Sequence, residues 1–271
     1  MIKPRTQHSL FVMTAIVVLA MLLSSWTPGG VMAGASQINM KKTSPVLKKV
    51  QKHGFLRCGV APYDKPGFRT LVSEGQLEGF DIDFCKALAV AIFNDDTKVK
   101  YVVPITWDDR FTLLQDDKID VLIADATWTA SRDSELGVDF PAIYYYESIL
   151  ESTSMDALGP AVAHGDQQWA DIVRWVIYGM INAEELGVDS GNVIQMVNNP
   201  PEDPMVRRLL GLQDDVGVKL GLKNDFMVNV ISSIGNYGEV YARHLELIHP
   251  RAGSLNALWT EGGILYAPSM R

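Results

Sequence analysis

The sequence predicts an α/β fold, a parallel or mixed sheet covered by helices and continued by a helical C-terminal part. Three observations predict it. Short apolar runs alternate with helically spaced apolar residues from Phe55 to Asp125, the connections between them are short, and after Asp166 the spacing becomes helical. The 271 residues are 47% hydrophobic and 21% charged, a globular composition long enough for one large or two small domains.

Residues 1–33 come first. Lys3 and Arg5 precede an apolar run from Leu10 to Leu23, and small residues follow up to Ala33 and Ala35. This pattern predicts a cleavable signal peptide, since the run is too short to span a bilayer comfortably. An uncleaved anchor is the alternative; no cysteine follows the run, which argues against a lipoprotein. Of 24 basic and 32 acidic residues, Lys3 and Arg5 lie in this leader, so the remainder is net acidic by ten charges. That balance argues against nucleic acid or an anionic membrane as partner and favours a small polar ligand or another protein.

"FLRCGV" (55–60) reads as a strand and "FDIDFCKALAVAIF" (80–93) as a helix with Phe84, Leu88 and Ile92 on one face. "VKYVVP" (99–104) is a second strand, "DDRFTLLQ" (108–115) a short helix and "DVLIAD" (120–125) a third strand. Cys58 and Cys85, the only cysteines, fall at the end of the first strand and early in the first helix. In an oxidising compartment they can close a disulfide worth about 3 kcal/mol; two buried thiols are the alternative. "DQQWADIVRWVIYGMINAEELG" (166–187) spaces Trp169, Val173, Val176, Ile177, Met180 and Ile181 as a helix, with Asp166 a natural N-cap. Shorter helices are expected at 203–210, 225–234 and 237–247, and Pro200, Pro201 and Pro204 mark a turn.

Ligands of such sheets bind where loops converge at the carboxyl ends of strands. "ADATWTASRD" (124–133) sits there. Thr127 and Thr129 offer hydroxyls, and Arg132 can grip a carboxylate with two parallel hydrogen bonds. Trp128 would wall the cleft or fill the core. The alternative for Arg132 is a surface pair with Asp133 or Glu135. His8, His53, His164, His244 and His249 are scattered without carboxylates at ligand spacing, so neither metal nor cofactor is expected; His164 reads with Asp166 as the cap of the following helix. No nucleophile elbow, phosphate-binding glycine loop or paired catalytic carboxylates stand out.

The stretches "GFDIDFCKALAVAIF", "RFTLLQDDKIDVLIADATWTASRD", "LGVDF", "IGNYGEVYARHL" and "LNALWTEGGILYAP", with the helix of 166–187, resemble the periplasmic substrate-binding proteins of polar and general L-amino-acid ABC transporters. The resemblance runs from about Val50 to Arg271. It implies a type II periplasmic-binding-protein fold, a non-enzymatic role, L-amino acids as ligands and an inner-membrane permease as partner. It implies further that Arg132 holds the ligand's α-carboxylate with Thr127 beside it, and that Trp107 and Phe68 occupy loops where an aromatic packs on the ligand, unless either is a core residue. Asp125 lies beside this site and either repels the carboxylate or attracts the amino group.

Proteins of this kind have two lobes of roughly 100 residues each. Here "FPAIYYYES" is followed at once by "SILESTSMDALGPAVAHGDQQW", whose end resembles the segment after the chain's return from the second lobe. The expectation is therefore a first-lobe α/β segment at 45–147, a return segment with C-terminal helices at 148–271 packing on the same lobe, and a second lobe largely absent. The two crossing strands would then lie side by side near Glu147 and Ser148. Such a half-site implies weak binding, a degenerate paralogue acting through protein contacts, or a homodimer through the uncovered face.

Overall fold

The computed structural model describes residues 44–148 and 155–271. The expected signal peptide lies outside them. The chain enters through α1 (Pro45–His53), capped by the Ser44 hydroxyl, which accepts the Leu47 N–H at 2.9 Å. Next come β1 (Leu56–Gly59), a hairpin of β2 (Thr70–Ser73) and β3 (Gln76–Glu78), α2 (Phe80–Phe93), β4 (Val99–Val102), α3 (Asp109–Gln115) and β5 (Val121–Thr127). A short α4 (Ala130–Glu135) leads to β6 (Val138–Asp139), β7 (Tyr145–Ser148) and β8 (Met155–Ala163). Helices follow: α5 (Gln167–Glu185), α6 (Val193–Asn198), α7 (Pro204–Leu209), α8 (Val216–Leu220), α9 (Phe226–Ser233) and α10 (Tyr237–His244), and residues 245–271 close the chain with a single 3-10 turn at Trp259–Glu261.

The main sheet runs β4-β1-β5-β8, with β6 and β7 both paired to β8. β1 is parallel to β4 (Leu56 beside Val99) and to β5 (Cys58 beside Val121), because each connection is a crossover carrying α2 or α3. β8 returns antiparallel to β5, so the sheet is mixed. β5 is buried on both faces. Val121 and Ile123 join the large core under α2 and α5, while Leu122, Ala124 and Ala126 join a smaller one with Phe111, Leu114, Val138 and Phe140. This explains why β5 is an almost continuous apolar run instead of an alternating one. α2 likewise buries Phe80, Ile82, Phe84, Ala87, Leu88 and Val90 around its circumference, which makes it the central helix.

α5 is anchored at its start. One Asp166 oxygen accepts the Trp169 N–H at 3.0 Å, and the other accepts from the Ser44 hydroxyl at 2.6 Å and the Val46 N–H at 2.9 Å, so a single carboxylate caps α5 and ties α1 to it. Cys58 and Cys85 are disulfide-bonded, joining β1 to α2.

β7 and β8 pair antiparallel from Tyr145 beside Leu158 to Ser148 beside Met155. The strands that would cross to a second lobe and back thus form a ladder. Between Leu122 and Ala126 the β5–β8 ladder is irregular: Pro160, which has no N–H to donate, faces this stretch, and Asp125 turns to φ +49. Gly159 is needed here because a Cβ would lie 2.2 Å from the Ala142 carbonyl oxygen.

Candidate functional site

The loops after β1, β4 and β5 converge at the carboxyl ends of the three parallel strands. Arg132 stands on α4, whose first turn is capped by Thr129 Oγ1 accepting the Arg132 N–H at 3.3 Å. Its Nη1 donates to the Thr127 carbonyl at 2.6 Å, and its guanidinium lies 5.3 Å from the centre of the Phe111 ring. Among the described residues no carboxylate pairs with it. Asp133 instead accepts the Trp128 indole N–H at 3.2 Å, so the surface pair considered for Arg132 does not form. The remaining guanidinium N–H groups of Arg132 can therefore serve an incoming anion.

Sequence reasoning missed Arg110. It lies on α3, only 6% exposed, 4.9 Å over Trp107 and 5.1 Å over Phe111. Its Nη1 reaches the Ala124 carbonyl at 3.4 Å, while its buried Nε has no partner among the described residues. Burial, with Arg132 adding like-charge repulsion, lowers its pKa to about 10. Two arginines, neither paired with a carboxylate among the described residues, thus share one phenyl ring, Phe111. The signal was present in "DDRFTLLQ": Arg110 shares a helix face with Leu114, which is buried, so a charge was bound for the interior.

Asp125 is already engaged. Lys65 pairs with it and also reaches Glu147 at 3.2 Å. The Asp125 N–H donates to the Tyr144 hydroxyl at 3.3 Å, and that hydroxyl donates to Asp81 Oδ1 at 2.6 Å. Asp81 is fully buried, and its Oδ2 has no partner among the described residues. Burial, then the negative charge of Asp125, pushes its pKa up to about 8; burial raises Asp125 too, against the pull of Lys65. An acid raised from 3.8 to about 8 binds its proton more tightly folded than unfolded, so the stability linked to Asp81 is full below about pH 4 and is lost as pH climbs through about 8. The slope from one such group is at most about 1.4 kcal/mol per pH unit. Asp81→Asn is expected to flatten the melting temperature between pH 5 and 8; an unchanged pH profile in that variant would show that Asp81 ionises freely.

The other expected site residues are split. Thr127 Oγ1 donates to Asp156 Oδ2 at 3.3 Å across to β8, and Thr129 is occupied as a helix cap. Trp107 is part-exposed at the cleft rim over Arg110. Phe68 is 1% exposed and packs edge-on against Phe80 and Tyr145, so it belongs to the core: Gly67 turns the chain inward there, with its carbonyl accepting the Phe80 N–H at 2.8 Å. Trp128 walls the cleft, part-exposed and stacked on Phe140 at 6.2 Å. Around them Tyr63, Ile105 and Val103 are exposed, Ile105 to 84%, giving the mouth an apolar rim. His164 does not take part in the α5 cap. It lies beside Asp139 and Asp133, a proximity that spacing in the sequence does not reveal. A concavity of about 500 Å³ lies away from Arg132, between β7 and the segment Ile248–Asn256.

The description "bacterial extracellular solute-binding proteins, family 3" matches residues 56–187. The general L-amino acid-binding periplasmic protein AapJ of Rhizobium johnstonii is 34% identical over 92% of this chain and 99% of its own. The glutamate/glutamine/aspartate/asparagine-binding protein BztA of Rhodobacter capsulatus is 31% identical over 89% and 98%. The structure of a periplasmic binding protein of an ABC transporter from Brucella ovis with glutathione bound superposes with a TM-score of 0.78 at 30% identity, over 83% of this chain and 99% of that one. The alignment with AapJ spans 345 positions against 271 residues here, so at least 74 positions of that relative face a gap.

Proposed function

Because the chain belongs to the bacterial extracellular solute-binding proteins of family 3, we propose that it is the periplasmic receptor of an amino-acid ABC importer and recognises the α-carboxylate of an L-amino acid through Arg132. It is a binding protein, not an enzyme. The observation that carries the reading is the state of Arg132: held by the Thr127 carbonyl and Phe111 at the carboxyl end of β5, it has no carboxylate partner among the described residues. Arg110 behind it adds positive potential without competing for the ligand's first contact. Lys65, bound to Asp125, keeps that carboxylate from repelling the ligand.

The chain lacks part of the second lobe, and what remains is a half-site facing solvent. There an ion pair is worth about 1 kcal/mol or less, so binding is expected to be weak compared with a two-lobed receptor. The same observation favours a second reading, a paralogue that no longer binds amino acids and acts through contacts of its apolar rim. Thr127 supports it, since its hydroxyl is turned to Asp156.

Titration calorimetry against a panel of L-amino acids separates the two. Saturable binding that weakens at least tenfold in Arg132→Gln is the expected result. A folded wild-type protein that takes up no amino acid would leave the second reading standing.

A further inference from the structure

We propose that Asp133, Asp139 and His164 form a binding site for a divalent transition-metal ion of the zinc class, which ties α4 to the edge of the sheet. The three side chains come from α4, β6 and the residue after β8, and each offers a ligand atom within 4.8 Å of the others. His164 Nε2 lies 3.3 Å from Asp139 Oδ1. Loop chance does not produce this placement. β6 pairs with β8 at Val138 beside Ala163 and Asp139 beside Val162, and the His164 N–H donates to the Gly137 carbonyl at 3.0 Å, so backbone pairing on both strands sets the two side chains.

The charge is unbalanced. Among the described residues neither Asp133 nor Asp139 pairs with a lysine or arginine, so two carboxylates converge with only an imidazole between them. A cation relieves that repulsion. One imidazole nitrogen and two carboxylate oxygens suit zinc or nickel better than magnesium, which prefers oxygen alone. The residues are part-exposed or exposed, which leaves further coordination positions to water. Asp133 also accepts the Trp128 indole N–H at 3.2 Å, an outer hydrogen bond of the kind that orients a metal-bound carboxylate.

α4 gains most from such an ion. None of its six side chains is fully buried, and it is held by the Thr129 cap and by the bond from Arg132 to the Thr127 carbonyl. A metal bridging Asp133 to Asp139 and His164 fixes this helix one residue away from Arg132. The site stands on its own geometry and does not depend on the amino-acid reading.

Zinc titrated into chelator-stripped protein, followed by calorimetry and tryptophan emission, tests it. One saturable site per chain is expected, with an emission change from Trp128, no competition from excess magnesium, and at least tenfold weaker binding in both His164→Ala and Asp139→Asn. His53→Ala, at the opposite end of α1 from the residues bonded to Asp166, should bind zinc as wild type does. Absence of saturable binding in the wild-type protein would overturn the proposal, and so would wild-type zinc affinity in either folded variant.

Discussion

Trp169→Ala is expected to lower the free energy of unfolding by about 3–5 kcal/mol, the range for removing a large aromatic from a core. Trp169 is almost wholly buried in the first turn of α5, and its indole N–H donates to the Asp120 carbonyl at 2.8 Å. The carboxylate of Asp120 is in turn held by the Arg57 N–H at 2.8 Å and its guanidinium at 2.7 Å. Truncation therefore opens a cavity and strands a buried carbonyl where the start of β5, the start of β1 and the start of α5 meet. Trp169→Phe keeps most of the volume and loses the hydrogen bond, so a smaller loss of about 1 kcal/mol is expected. Urea unfolding of the three proteins reads both numbers. A loss under 1 kcal/mol for the alanine variant would mean that α5 docks without this side chain.

Joint replacement of Cys58 and Cys85 by alanine is expected to cost about 3 kcal/mol, the value for closing a loop of this size. The two residues are 27 apart in sequence and wholly buried, one in β1 and one in α2. The bond ties the central helix α2 directly to β1, in the middle of the parallel strands. Denaturation midpoints with and without a thiol reductant provide the check: reduction should shift the wild-type midpoint and leave the double variant where it is. Coincident midpoints for reduced and oxidised wild type would refute it.

The elements legible in the sequence were those whose burial leaves a periodic trace. α2 and α5 carry apolar residues at helical spacing, β5 is apolar because both its faces are covered, and β1 is a short run of buried residues broken only by Arg57, so all four lie where the pattern puts them. Asp166 was recognisable as a cap because a helix start has free N–H groups to satisfy. The β2–β3 hairpin left no trace: every residue of β2 is exposed, and its register is set by its partner strand. β8 contains Gly159 and Pro160, residues that weaken a strand pattern, and the reasons for them are tertiary: Gly159 answers a close carbonyl and Pro160 faces an irregular ladder. Of the candidate site, the sequence showed positions but not contacts. Arg132 followed from its place after a strand, but the burial of Phe68, the engagement of Asp125 by Lys65, and Arg110 depend on contacts between segments far apart in the chain.

The ladder from Tyr145 to Ser148 bears on how such a chain arises and can be rebuilt. Paired antiparallel residues sit about 4.5–5.5 Å apart, so the ends at Ser148 and Met155 form a closed doorway in the backbone. Any folded insert whose own termini lie that close can be spliced in or cut out there without shifting the sheet's register on either side. The doorway makes this lobe a natural host for modular exchange: a graft of a relative's second lobe between Ser148 and Met155 should leave β7, β8 and the helices after them as they are.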